Sequence, residues 1–281
     1  MHRFLLFGLT KDNDILKEGM VMMRKTGKTL LILFIFTFFI SLFLPESTII
    51  AEERFIEADI KLDEDAEIIE SEFTKIQLKR LKKEEPTYTL DIELPFFMDK
   101  KLDSTVRKHI KHLIEEFFAI SKGNVSKERP GNLTVKANVY LSGKDLYSVV
   151  LHEEIYSGGA NANQQAKVWL ADLKDDRFVV QETIFNDPEE AKEIIRPLVK
   201  EALLNSEQYK DYILEDELEK WMEKEEYHFE NMFIRDGHLV FIFNKYEVVA
   251  GAAGMPEIEI PISEVEHLIN PDWYKRIDHA L

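Results

Sequence analysis

YTLDIELPFFMDKKLDSTVRKHIKHLIEEFFAI, residues 88–120, changes its hydrophobic period midway. Tyr88, Leu90, Ile92 and Leu94 alternate with Thr89, Asp91 and Glu93, the period of two that a half-buried strand requires. From Asp99 onward Val106, Ile110, Leu113, Ile114, Phe117 and Phe118 recur at helical spacing. That spacing predicts one amphipathic helix packed on the sheet to which the strand belongs.

Upstream, Thr74, Ile76 and Leu78 alternate with polar residues and predict a partner strand, joined to 88–94 across the charged LKKEEP turn, residues 81–86. Downstream, Arg129-Pro130-Gly131-Asn132 signals a turn, and strands follow at 133–141, 145–156 and 165–173. Ser142-Gly143-Lys144 reads as the loop between the first two. Asp187, Pro188 and Glu190 mark the start of a second helix whose buried stripe is Ile194, Ile195, Leu198, Val199, Ala202 and Leu203. Pro197 inside that stripe predicts a kink. A short helix is expected at 215–227, a hairpin at 229–234 and 239–243 across Arg235-Asp236-Gly237, and a last strand at 257–260. Without a βαβ repeat, the pattern predicts an α+β fold of antiparallel sheet packed by amphipathic helices.

The chain has 281 residues, 45% of them hydrophobic, enough for a sizeable core. It has no cysteine, which excludes disulfides, thiol chemistry and Cys-ligated zinc or iron–sulfur sites. The net charge of −17 divides into +3 over residues 1–28 and −20 over the remainder. Such a body repels nucleic acid and anionic wall polymers and attracts a cationic partner.

Residues 30–44, LLILFIFTFFISLFL, carry no charge. About 15 residues span only about 23 Å, the size of a signal-peptide core or a short anchor. Arg24, Lys25 and Lys28 precede this run, which places residues 1–28 in the cytoplasm and the body outside a cell membrane. Ala51 could end a cleaved signal, but Ile49 is poorly suited two residues earlier, so an uncleaved single-pass anchor is expected. Met23 offers an alternative start. The expected organisation is a cytoplasmic segment 1–28, an anchor 29–45, an acidic stalk 46–65 and two modules, 66–185 and 186–281.

The common nucleophile-elbow, zinc-protease and phosphate-loop motifs are missing. His109 and His112 lie off the apolar stripe of their helix and read as a solvated pair, and His152 and Ser157 have the odd spacing that puts strand residues on opposite faces. No catalytic residue, metal or cofactor is expected. Two stretches of small residues stand apart. The first is Tyr156-Ser157-Gly158-Gly159-Ala160-Asn161-Ala162-Asn163, either a plain turn or a ligand-facing loop. The second runs from Tyr246 through Gly251, Ala252, Ala253 and Gly254 to Pro256, suited to close packing or to a partner. Both are expected to lie at a sheet end, near each other, bordering a binding face.

FIFNKYEVVAGAAGMPEIEIPISEV, residues 241–265, resembles the signature of the DUF3298 family. YTLDIELPFF with the helix after it, and the 156–161 loop, resemble the companion DUF4163 module, although Asn161 stands where family members often carry His. The resemblance implies two settings. One is the ectodomain of RsiV-like anti-sigma factors, which bind lysozyme; the other is the non-catalytic region of PdaC-like peptidoglycan deacetylases. Residues 1–28 look too short for a sigma-binding domain, and no deacetylase domain or His-rich metal motif follows. The expectation is a non-catalytic binding module at the cell envelope that captures a cationic, lysozyme-like protein, or alternatively a peptidoglycan fragment.

Overall fold

The computed structural model describes residues 62–69 and 72–278; the apolar run 30–44, its basic flank and most of the acidic stalk lie outside them. The described residues make one compact unit.

The alternation read at 88–94 is strand β3 (Tyr88–Phe96), with Tyr88, Leu90, Ile92 and Leu94 buried. It is followed by α1 (Lys100–Ser121), which starts where the Asp99 carboxylate accepts hydrogen bonds from the Lys101 and Leu102 amides. Val106, Ile110, Leu113, Ile114 and Phe117 of α1 are buried, as their spacing requires. The Tyr88 ring meets Phe117 and Phe118 edge-on, with centroids 6.2 and 5.1 Å away.

β3 stands within a seven-stranded sheet ordered β1 (Ala66–Ile69), β2 (Gln77–Glu85), β3, β4 (Gly131–Gly143), β5 (Leu146–Tyr156), β6 (Asn163–Asp172) and β7 (Arg177–Val179). The sheet is mixed, which corrects the expected antiparallel one: β3 and β4 are parallel, because α1 crosses over the sheet and returns the chain in the same direction. Two further readings change. LKKEE belongs to β2 and the turn is confined to Pro86-Thr87, since Leu81, Lys83 and Glu85 pair in register with Ile92, Leu90 and Tyr88. Gly143 likewise stays in β4, leaving Lys144 and Asp145 as the hairpin turn. β1 and β7 are too short to show a period.

A three-stranded antiparallel sheet lies on the opposite side of the large sheet from α1, in the order β10 (Glu257–Pro261), β9 (His238–Ile242), β8 (Met232–Arg235). Its hairpin turns at Asp236-Gly237, both at positive φ (47° and 76°), the geometry that two-residue hairpins favour. Phe229 is not in the strand, having φ 56° and a fully buried ring. Helices α2 (Pro188–Asn205) and α3 (Glu215–Glu223) complete the layer behind this sheet, α2 packing on β10. Asp187 caps α2 by accepting from the Glu189 and Glu190 amides, and the helix continues past Pro197 to Asn205.

Val150 and Val168 of the large sheet pack on Phe233, Val240 and Ile242 of the small one. A buried hydroxyl pair joins the sheets. Ser142 Oγ donates to the Ile234 carbonyl (2.8 Å) and accepts from the Ser148 amide (2.9 Å), while Ser148 Oγ accepts from the Ile234 amide (2.9 Å). Edge strand β8 thereby has the polar backbone of Ile234 satisfied by side chains. Helix α4 (Pro271–Asp278) closes the far end: Arg276 makes a bidentate pair with fully buried Asp172, at 2.7 and 3.0 Å. No helix among the described residues is long and apolar enough to cross a membrane.

Candidate functional site

The first small-residue stretch connects β5 to β6. Gly158 has φ +85°, and a Cβ there would fall 2.4 Å from the Asn124 carbonyl, so the loop is pressed onto the segment after α1 at a place only glycine fits. Gly159, Ala160, Asn161 and Asn163 are exposed, and Tyr156, Ser157 and Ala162 are half-buried.

The second stretch touches the end of the first. The Lys245 amide donates to the Gln164 carbonyl (3.1 Å), Lys245 Nζ to the Ala162 carbonyl (3.0 Å), and the Ala166 amide to Asn244 Oδ1 (2.8 Å). Val248 and Val249 then turn inward and are fully buried. The Leu214 amide donates to the Val248 carbonyl (2.9 Å) and the Ala250 amide to the Tyr212 carbonyl (2.7 Å). Tyr246, between these anchors, holds φ 69° and is 51% exposed. Its ring lies against Gly251, where a Cβ would come within 2.3 Å of it. A non-glycine residue in that region is strained, so the surrounding bonds hold the tyrosine on the surface. Tyr212, 43% exposed, is tied to the same stretch through Ala250. Beside it Asp211, Glu215 and Asp216 are exposed. Ala252 is exposed, and Gly254 faces open space.

Between the loops and the small sheet, part of the large sheet is left uncovered. It forms a groove of about 320 Å³ lined by Thr134 and Lys136 of β4, His152, Glu153 and Glu154 of β5, Gln164 of β6, and Met255. Burial pushes the His152 imidazole below its ordinary pKa and Arg235 adds to this, against Glu257, which raises it. Further along the same face Arg80 makes two 2.6 Å bonds with Asp91, and this pairing holds the Asp91 carboxyl below its usual range.

His109 is not solvated as expected. The helix lays it on the opposite sheet face, where Nε2 is 2.5 Å from Oε1 of buried Glu153 and the ring meets Trp169 edge-on at 5.3 Å. Gln165 donates to the other Glu153 oxygen (2.9 Å). Trp169 stacks on Phe178 and is 8% exposed; strand alternation puts it on the face away from Tyr156. His112 is exposed. Among the described residues no group of three His, Asp or Glu side chains is placed to hold a metal ion.

The lining of the groove went unnoticed in the sequence. Its signal was the polar alternation Asn132, Thr134, Lys136, Asn138 in β4 and His152, Glu154, Tyr156 in β5, which looks the same as an ordinary solvent face. Tyr212 gave no signal at all.

The chain is 22% identical over 209 residues to the peptidoglycan-N-acetylmuramic acid deacetylase PdaC of Bacillus subtilis (strain 168), a match covering 73% of this chain and 44% of that protein. It therefore spans under half the length of that relative. A DUF3298 family protein from Pseudomonas aeruginosa PAO1 has the same fold, with TM-score 0.53 and 15% identity over 70% of this chain and 95% of the other. A DUF3298 member from Bacteroides fragilis NCTC 9343 superposes with TM-score 0.47 at 18% identity, covering 69% and 94%. Residues 182–263 match the profile described as a protein of unknown function, DUF3298. That match takes in α2, α3, the three-stranded sheet and the Tyr246 stretch.

Proposed function

We propose that the chain is a non-catalytic binding module of the cell envelope, tethered through residues 30–44 with its folded part outside, that captures a cationic protein of the lysozyme type. The observation that carries this reading is the patch in which exposed Tyr212 and Tyr246 are fixed on a rigid stretch beside exposed Asp211, Glu215 and Asp216. Exposed aromatic side chains with limited freedom are the usual anchors of protein interfaces, and a surround of one charge sign selects the partner and speeds encounter. Residues 182–226 hold fifteen acidic against six basic side chains, which extends the negative field around the patch. The PdaC similarity supports an envelope setting. What is shared with it, less than half of that protein, is taken as its binding part, with DUF4163 kinship for the upstream half.

The test is capture of a lysozyme by the full chain at about 50 mM and about 500 mM salt. Screening shortens the reach of surface charge from about 14 Å to about 4 Å over that range, so affinity should fall at least tenfold. Ala252→Trp, at an exposed position of the patch, should weaken capture comparably without moving the thermal midpoint. Failure to capture at low salt, or capture indifferent to salt, would contradict the reading.

A further inference from the structure

The groove on the open sheet face differs from the tyrosine patch in having its charged and polar side chains already matched. Lys136 Nζ donates to Glu93 (2.8 Å) and lies 3.9 Å from Asp91. Glu154 accepts from Gln164 Nε2 (2.6 Å), Thr134 Oγ1 donates to Asn132 (3.0 Å), and Asn138 Nδ2 lies 3.2 Å from His152 Nε2. Each contact fixes one end of a side chain and leaves other valences free: an oxygen of Glu154, the side-chain amide oxygen of Gln164, His152 Nδ1 and the remaining ammonium hydrogens of Lys136. Donors and acceptors are thus held in place, and Glu154, whose partner is the neutral Gln164 amide, is the one carboxylate among these contacts that faces no base.

We propose that this groove is a saccharide subsite taking a neutral ligand of about one to two sugar rings. An anion would meet Glu154 and Glu93, and a cation would meet Lys136. An apolar ligand would strip water from polar groups and return no hydrogen bonds. A neutral polyhydroxyl ligand both donates and accepts, and Met255 gives its C–H face an apolar wall. At about 320 Å³ the groove lies at the small end of ligand sites, roughly 300–1,000 Å³. Burial favours the neutral form of the His152 imidazole, so it brings no positive charge to the lining. The subsite shares none of its lining residues with Tyr212, Tyr246 and their acidic surround.

The experiment is titration of the full chain with di-N-acetylchitobiose, cellobiose and an anionic uronic-acid disaccharide, followed by calorimetry. At least one neutral disaccharide should bind with Kd of about 1 mM or tighter, near −4.1 kcal/mol, equally at low and high salt. Gln164→Ala and Thr134→Ala should each weaken it about tenfold with the thermal midpoint unchanged, and Tyr246→Ala should leave it alone. No binding of either neutral sugar at about 10 mM, roughly ten times that Kd, would overturn the proposal. So would preference for the anionic sugar, or binding that survives both groove variants when these are folded.

Discussion

The open face of the large sheet and the helical layer behind the small sheet both carry many charges, but they set them against different things. On the sheet, Arg80 faces Asp91, Lys136 faces Glu93 and Glu154 faces Gln164. In the helical layer the few bases are already engaged. Lys192, Lys200, Lys210, Lys220 and Lys224 pair with Glu189, Glu219, Glu207, Glu217 and Glu230, while Arg196 turns inward to the Met222 and Lys224 carbonyls at the end of α3. The remaining carboxylates form an uncompensated surplus. Matched charges make a surface that reads hydrogen-bond geometry; surplus charges make a field that reads the sign of a partner and fades with salt.

Asp172 with Arg276 is the extreme of matching, since the carboxylate is completely buried. Asp172→Ala should cost about 3–5 kcal/mol by leaving a partly buried guanidinium, held otherwise by the Lys144 carbonyl, without its carboxylate, lowering the thermal midpoint by roughly 10 °C. A change under about 2 °C, worth roughly 1 kcal/mol or less, would show that matching here is not structural. The uncharged counterpart is the serine pair between the sheets: Ser148→Ala should cost about 1–3 kcal/mol, because it strands the buried Ile234 amide, measurable as a shifted urea midpoint with unchanged slope.

Acid sharpens the same contrast. Burial alone would push Asp172 up, but the Arg276 bonds outweigh it and hold its carboxyl below the usual range; Arg80 does the same for Asp91. Folded pKa values below the unfolded ones give stability that is fully present above about pH 4 and is lost as pH falls through the folded values. Asp103 and Glu247 run the other way. Burial raises them, so their contribution is present at low pH and declines as pH rises above the ordinary carboxyl range. Asp91→Asn should therefore flatten the stability profile below about pH 4, and an unaltered profile would deny the pairing an energetic role.

In the helical layer the combined Asp211→Asn, Glu215→Gln, Asp216→Asn variant should change stability by no more than about 0.5 kcal/mol. It should slow association with a basic protein severalfold at low salt and reduce the salt dependence. Equal association rates for variant and parent would place the steering charge elsewhere.

The elements with a sustained period were legible in the sequence: β3, α1, β4, β5, and α2 with its Asp187 cap. The parallel β3–β4 pairing was not, because strand direction follows from where α1 packs and leaves no mark in the alternation. LKKEE looked like a turn because β2 is near the sheet edge, where charges such as Lys82 and Glu84 are accommodated at the surface. Of the small-residue stretches the positions were legible and their roles were not. Gly158 and Gly251 are set by close approach to Asn124 and Tyr246, and Val248 and Val249 are core. The exposed Tyr212 and the groove lining depend on pairings between distant segments, which spacing along the chain does not encode.

The anchoring role proposed for Tyr212 and Tyr246 governs how fast a captured lysozyme leaves the Tyr212→Ala, Tyr246→Ala double variant. Both residues are about half exposed and outside the core, so the thermal midpoint should hold while dissociation quickens and affinity falls at least tenfold, about 1.4 kcal/mol. A folded double variant that holds lysozyme as long as the parent does would contradict the account.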